Sequence, residues 1–159
     1  DFEWGKGFSL MFGGRVGYAA SWTQQKVPHY DRYYAGGPSS VRGFETRTLG
    51  PKECPEAEPD CSDPSNIGGN KELMLRTELH IPILDQQWGL KGLIFFDQGQ
   101  AFGTSDNIDL EDLKRSVGFG AKWLSPLGPL AVSWGIPINK KGSDDPELLG
   151  FSLGNTSDF

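Results

Sequence analysis

The stretch that decides the fold is Phe8-Ser9-Leu10-Met11-Phe12-Gly13-Gly14-Arg15-Val16-Gly17-Tyr18-Ala19-Ala20-Ser21-Trp22. Its even positions, Phe8, Leu10, Phe12, Gly14, Val16, Tyr18, Ala20 and Trp22, are free of charge. Its odd positions, Ser9, Met11, Gly13, Arg15, Gly17, Ala19 and Ser21, carry the polar and small residues. A period of two is the signature of a strand whose two faces meet different surroundings. At about 15 residues the run exceeds the roughly 9–11 that a tilted strand needs to cross hydrocarbon. It is also far longer than the mean soluble strand of about 5–6.

Five further segments repeat the pattern. Leu73, Leu75, Thr77, Leu79, Ile81 and Ile83 oppose Met74, Arg76, Glu78 and His80. Leu90, Gly92, Ile94 and Phe96 oppose Lys91, Leu93, Phe95, Asp97 and Gly99. Val117, Phe119, Ala121 and Trp123 oppose Ser116, Gly118, Gly120 and Lys122. Leu130, Val132, Trp134, Ile136 and Ile138 oppose Ala131, Ser133, Gly135 and Pro137, and Leu149, Phe151 and Leu153 oppose Gly150, Ser152 and Gly154. The predicted fold is an all-β antiparallel meander of six strands, about 8–22, 73–83, 90–102, 116–124, 129–138 and 148–156, in one unit spanning residues 1–159. A long loop of about 24–70 follows the first strand.

Every strand charge falls on one face: Arg15, Arg76, Glu78, Lys91, Asp97 and Lys122. Periodicity alone does not say which face is inside, so a water-soluble sandwich or lipocalin-like barrel stays open beside a transmembrane barrel. Two features favour the membrane. The polar face is rich in Gly, Ser and Ala, and Tyr18, Trp22, Trp88, Trp123 and Trp134 fall largely near strand ends, as an interfacial girdle would place them. Six strands are too few to close a barrel, since single-chain bacterial membrane barrels start at about eight. An open sheet would leave unpaired edges that hydrocarbon does not tolerate. The chain is expected to be part of a larger barrel or assembly.

Composition excludes other classes. Gly at 22 and Pro at 11 make about a fifth of the 159 residues, well above the roughly 12% of average usage, which argues against a helical bundle. A net charge of −6 leaves no basic footprint for nucleic acid. The longest apolar run, Leu93-Ile94-Phe95-Phe96, is far short of the roughly 20 residues of a spanning helix. Cys54 and Cys61 lie in a segment, 51–64, with five carboxylates and four prolines. No second pair accompanies them, and His29 and His80 are far apart, so no metal site is expected. A loop disulfide, which would imply an oxidising compartment, and two free surface thiols both stay open. Gly150-Phe151-Ser152-Leu153-Gly154 matches G-x-S-x-G, but both histidines lie upstream of it, whereas a hydrolase would require a His downstream. Asp106, Asp109, Glu111 and Asp112 lack the spacing of a calcium loop.

Residues 33–44, Tyr-Tyr-Ala-Gly-Gly-Pro-Ser-Ser-Val-Arg-Gly-Phe, resemble the sixth extracellular loop of BamA-type outer-membrane assembly factors, the bacterial surface antigen family. The shared core is G-G-x-x-S-V-R-G-F. Glu78-Leu79 before Ile81-Pro82, Phe95-x-Asp97-x-Gly99, Ser125-Pro126-Leu127-Gly128-Pro129-Leu130 and a short final strand near 151–156 follow in family order. The resemblance implies the last six strands of a sixteen-stranded barrel in a Gram-negative outer membrane, with loop 24–70 folded into the lumen. It implies no enzyme activity and no cofactor. Its implied partners are the rest of the barrel and its periplasmic repeats, unfolded outer-membrane proteins, accessory lipoproteins and membrane lipid. Arg42 would anchor the loop to Glu78 and Asp97 as a lock, flanked by Val41, Gly43, Phe44, Phe95 and Gly99, with Phe44 making an apolar contact near Phe95. The Cys54/Cys61 tip resembles a disulfide found in some members. Phe151, Leu153 and Gly154 would lie on the strand that meets the barrel's first strand at a weak seam. The alternatives are a two-partner-secretion or translocation-module barrel of the same superfamily, and a small soluble β-barrel whose Gly-rich face surrounds a ligand.

Overall fold

The computed structural model describes residues 2–4, 7–22, 27–54, 64–83, 89–104, 106–126, 128–140 and 144–153. Eleven strands are assigned among them: β1 (Phe2–Trp4), β2 (Phe8–Tyr18), β3 (Gly43–Phe44), β4 (Lys52–Glu53), β5 (Ser65–Asn66), β6 (Lys71–Pro82), β7 (Leu90–Phe102), β8 (Lys114–Ser125), β9 (Gly128–Pro137), β10 (Pro146–Glu147) and β11 (Leu149–Leu153). Seven of them form one antiparallel sheet in the order β1-β2-β6-β7-β8-β9-β11. The sheet is thus an all-β meander with one strand more than the six predicted. The extra strand, β1, is three residues long, too short to show alternation, and it folds onto β2 with Phe2 opposite Leu10.

The ends of the predicted strands shift for identifiable reasons. The first strand stops at Tyr18, not Trp22, because its partner β6 begins at Lys71. Ala19 N–H donates to the Asn70 carbonyl at 2.7 Å and Asn70 Nδ2 donates to the Ala19 carbonyl at 3.2 Å, which closes the ladder. Trp22 is then fully exposed. β6 and β8 each begin two residues earlier than predicted, at Lys71 and Lys114. The last strand is Leu149–Leu153, and residues 154–156, with Gly154 of the expected seam strand, lie outside the described residues. Trp88 also lies outside them. Trp134 stands opposite Phe119 within its strand rather than at an end.

The faces are inverted relative to a water-soluble sheet. Phe12 and Val16 of β2, Ile94 of β7, Phe119 of β8, Val132, Trp134 and Ile136 of β9, and Phe151 and Leu153 of β11 are all exposed. On the other face Glu72, Arg76, Glu78, Asp97, Lys114 and Ser116 are buried. Large contiguous apolar surface of this kind marks an interface with lipid or protein. It excludes the sandwich reading, in which this face would be the core. No helix among the described residues is long and apolar enough to cross a membrane.

The polar face is covered by the chain's own loop. Between β2 and β6 the segment carries a 3-10 turn (His29–Asp31) and the short strands β3, β4 and β5. It is tied down by backbone bridges Tyr33–Gly69 and Ala35–Leu49. Its Ala35, Val41, Phe44 and Leu49 form a buried apolar cluster with Ala101 of β7. The hydrophobic core therefore lies between loop and sheet.

Candidate functional site

The site is built where the loop crosses the strands. The register places Glu78 directly opposite Phe95, and Arg76 directly opposite Asp97. A period of two puts all four on the covered face. Arg42 enters from the loop. Its Nε donates to Asp97 Oδ2 at 2.7 Å and its Nη2 to Asp97 Oδ1 at 2.8 Å, a bidentate fork. The Arg42 backbone N–H adds a third bond to Asp97 Oδ2 at 3.2 Å. Its Nη1 lies 2.6 Å from Glu78 Oε1. Below the guanidinium lies the Phe95 ring, its centroid 3.6 Å from Cζ, a cation–π contact.

All three charged groups are dehydrated: Arg42 is 5% exposed, and Glu78 and Asp97 are 0% exposed. Burial opposes the charge on Arg42, but the Asp97 hydrogen bonds and the charges of Asp97 and Glu78 outweigh it, so the guanidinium pKa is raised above its ordinary value.

Three more side chains share the two carboxylates. Lys122 Nζ donates to Glu78 Oε2 at 2.7 Å, and His80 Nε2 lies 2.8 Å from the same oxygen. Arg76 Nε lies 3.6 Å from Asp97 Oδ1, and its Nη2 donates to the Ser40 carbonyl at 2.9 Å, so it bridges wall and loop. The anchor is thus a network, and Arg76, His80 and Lys122 were not assigned to it from sequence. Their signal was available, because alternation places them on the same face as Glu78 and Asp97.

Glycine makes the close approach possible. Gly43 has φ +88, a conformation that disfavours any side chain. A Cβ there would lie 2.9 Å from the Gly135 carbonyl carbon, and a Cβ on Gly135 would lie 2.6 Å from the Gly43 nitrogen. Loop backbone thus sits on strand backbone. At Gly99 a Cβ would meet Val41 Cγ2 at 2.9 Å. Phe44 packs with Ala35, Val41, Leu49 and Ala101, while Phe95 serves Arg42, so the two aromatics have separate jobs. Cys54 is disulfide-bonded, and Cys61 lies outside the described residues. Phe151 and Leu153 point out of the exposed face. Among the described residues no group of His, Cys, Asp and Glu could hold a metal ion.

The Omp85 superfamily domain matches residues 1–157. The chain belongs to the Omp85 superfamily. Outer membrane protein assembly factor BamA of Neisseria meningitidis serogroup B is 31% identical over 98% of this chain. The protein of the same name from Nitratidesulfovibrio vulgaris is 33% identical over 82%. The crystal structure of BamA from Haemophilus ducreyi lacking POTRA domains 1–3 superposes on 91% of this chain and 30% of that one, with a TM-score of 0.77 at 29% identity. The chain spans 22% and 16% of the length of the two sequence relatives. This Omp85 chain has the fold of an integral outer-membrane β-barrel, and its exposed apolar face is the lipid face. The Gly-rich face holds the chain's own loop, which removes the reading of a small soluble ligand-binding barrel.

Proposed function

We propose that this Omp85 chain supplies the last strands of a sixteen-stranded barrel in a protein that inserts and folds other β-barrel proteins in the outer membrane. The observation that carries the proposal is that relatives named as assembly factors match nearly the whole chain. In the parent, opening the weak seam between the last and first strands would present free N–H and C=O groups that template an incoming strand. The chemistry is hydrogen-bond exchange, with no covalent bond made or broken and no cofactor. The substrates are unfolded outer-membrane proteins. Periplasmic repeats of the same protein and accessory lipoproteins would deliver them.

The Arg42 network supports a second element of the proposal. The loop is a lock that holds the barrel interior in one arrangement, with Arg42 as bolt and Glu78 and Asp97 as catch. Desolvated charges gain from pairing only when the geometry is well satisfied, and here every carboxylate oxygen faces a cation.

The test uses the full-length parent protein in liposomes with an unfolded outer-membrane β-barrel as substrate. The proposal expects the parent to accelerate substrate folding and Arg42→Ala to slow it. Export of a soluble passenger without such acceleration would instead identify a secretion transporter of the superfamily.

A further inference from the structure

Within the interior, a second contact to the Arg42 loop comes from the connection between β9 and β11. Its Pro146–Glu147 strand, β10, pairs antiparallel with β3, Pro146 opposite Phe44 and Glu147 opposite Gly43. Glu45 N–H donates to the Asp145 carbonyl at 2.8 Å. Asp144 forms a buried ion pair with Lys114 at the start of β8. On the other side, Gly135 N–H donates to the Leu148 carbonyl at 2.8 Å, and β11 begins at the next residue, with Leu149 opposite Trp134. Gly135 is also the residue against which Gly43 sits.

One short segment, 144–149, therefore touches the locked loop and runs into the outer strand with a single residue, Leu148, between β10 and β11. There is no slack to separate their movements. Among the described residues β11 is five residues long and pairs with β9, and so short a strand belongs to the low-stability end of the structure. Its position depends on what else holds its first residue.

We infer that residues 144–148 act as a strap coupling the seated Arg42 loop to the outer strand β11, so that release of the loop and opening of that strand are one cooperative event. The strap makes the loop report on the strand edge. With the loop seated, β10 is held on β3 and the Leu148 carbonyl on Gly135, and β11 stays paired. With the strand opened, β10 is drawn off Gly43 and Phe44, and the Arg42 network loses its cover. This coupling does not depend on what the parent protein does, because both of its ends lie within this chain.

Hydrogen exchange on the full-length parent in detergent or bilayer tests it. Glu45→Pro, which removes the N–H that meets Asp145, is expected to raise exchange of the β11 amides roughly 2- to 10-fold, the factor for about one lost hydrogen bond, and Arg42→Ala, which removes the whole network, by a larger factor. The central amides of β7 should stay unchanged. Faster exchange in the loop with β11 unmoved in both variants would overturn the strap. Should neither variant fold, the wild type at raised pH gives the same answer. Peptides covering residues 43–48 and 149–153 must open at one common rate, and two distinct rates would overturn the coupling.

Discussion

Arg42 makes three hydrogen bonds to Asp97, an ion contact with Glu78 and a cation–π contact with Phe95 while almost wholly buried. Removing one partner from such a group leaves an uncompensated buried charge. Arg42→Ala is expected to cost about 3–5 kcal/mol and to render loop 24–70 protease-sensitive, read from digestion time courses and denaturant titration of the full-length parent. Arg42→Lys should recover only part of this, since an ammonium cannot supply the bidentate fork. The raised pKa means the Arg42 contribution is present at every pH below the ordinary guanidinium value and is lost only above it. Loop protection measured from pH 6 to 9 should show no step from Arg42. Gly135→Val is expected to unseat the loop, because its Cβ would press into the Gly43 backbone, whereas Gly13→Ala, with open space at that position, should stay within about 0.5 kcal/mol. The pair Gly43 and Gly135 was only half legible in the sequence. Gly43 belongs to the V-R-G-F motif, but nothing in the sequence says that its contact is another glycine across about 90 residues of chain.

At the scale of elements, alternation located the meander because lipid on one side and a packed interior on the other impose a strict period on every strand. The same alternation placed Glu78, Asp97, Arg76, His80 and Lys122 on one face. It could not pair them, since register is a property of two strands. The strand ends were less legible, as β2 shows: Ala20 to Trp22 continue the apolar period but lie beyond the β2–β6 register, and the ladder closes at Asn70. β1, β3 and β10 were invisible to periodicity at two or three residues each. The lipid face makes its own prediction. Phe119, exposed in the middle of β8, should tolerate Leu, whereas Phe119→Arg should cost about 2–4 kcal/mol if it sits near the bilayer midplane. Unfolding titrations of the parent in lipid would show this, and the same change at an exposed loop position such as Glu111 should be nearly neutral.

For the molecule as a whole, the arrangement is a sheet turned outward, with an apolar surface for lipid and a core formed by a loop packed on a small-residue wall. That accounts for glycines on the polar face: Gly135 admits loop backbone, and Gly17 and Gly99 admit the loop side chains Tyr33 and Val41. The most direct test is accessibility along β8. Single spin labels at residues 116 to 123 of the full-length parent in bilayers would be probed with lipid-soluble oxygen and a water-soluble nickel complex. The account predicts a period of two, with positions 117, 119, 121 and 123 open to oxygen and positions 116, 118, 120 and 122 shielded from it. Uniform accessibility, or oxygen access on the side of Ser116 and Lys122, would contradict it.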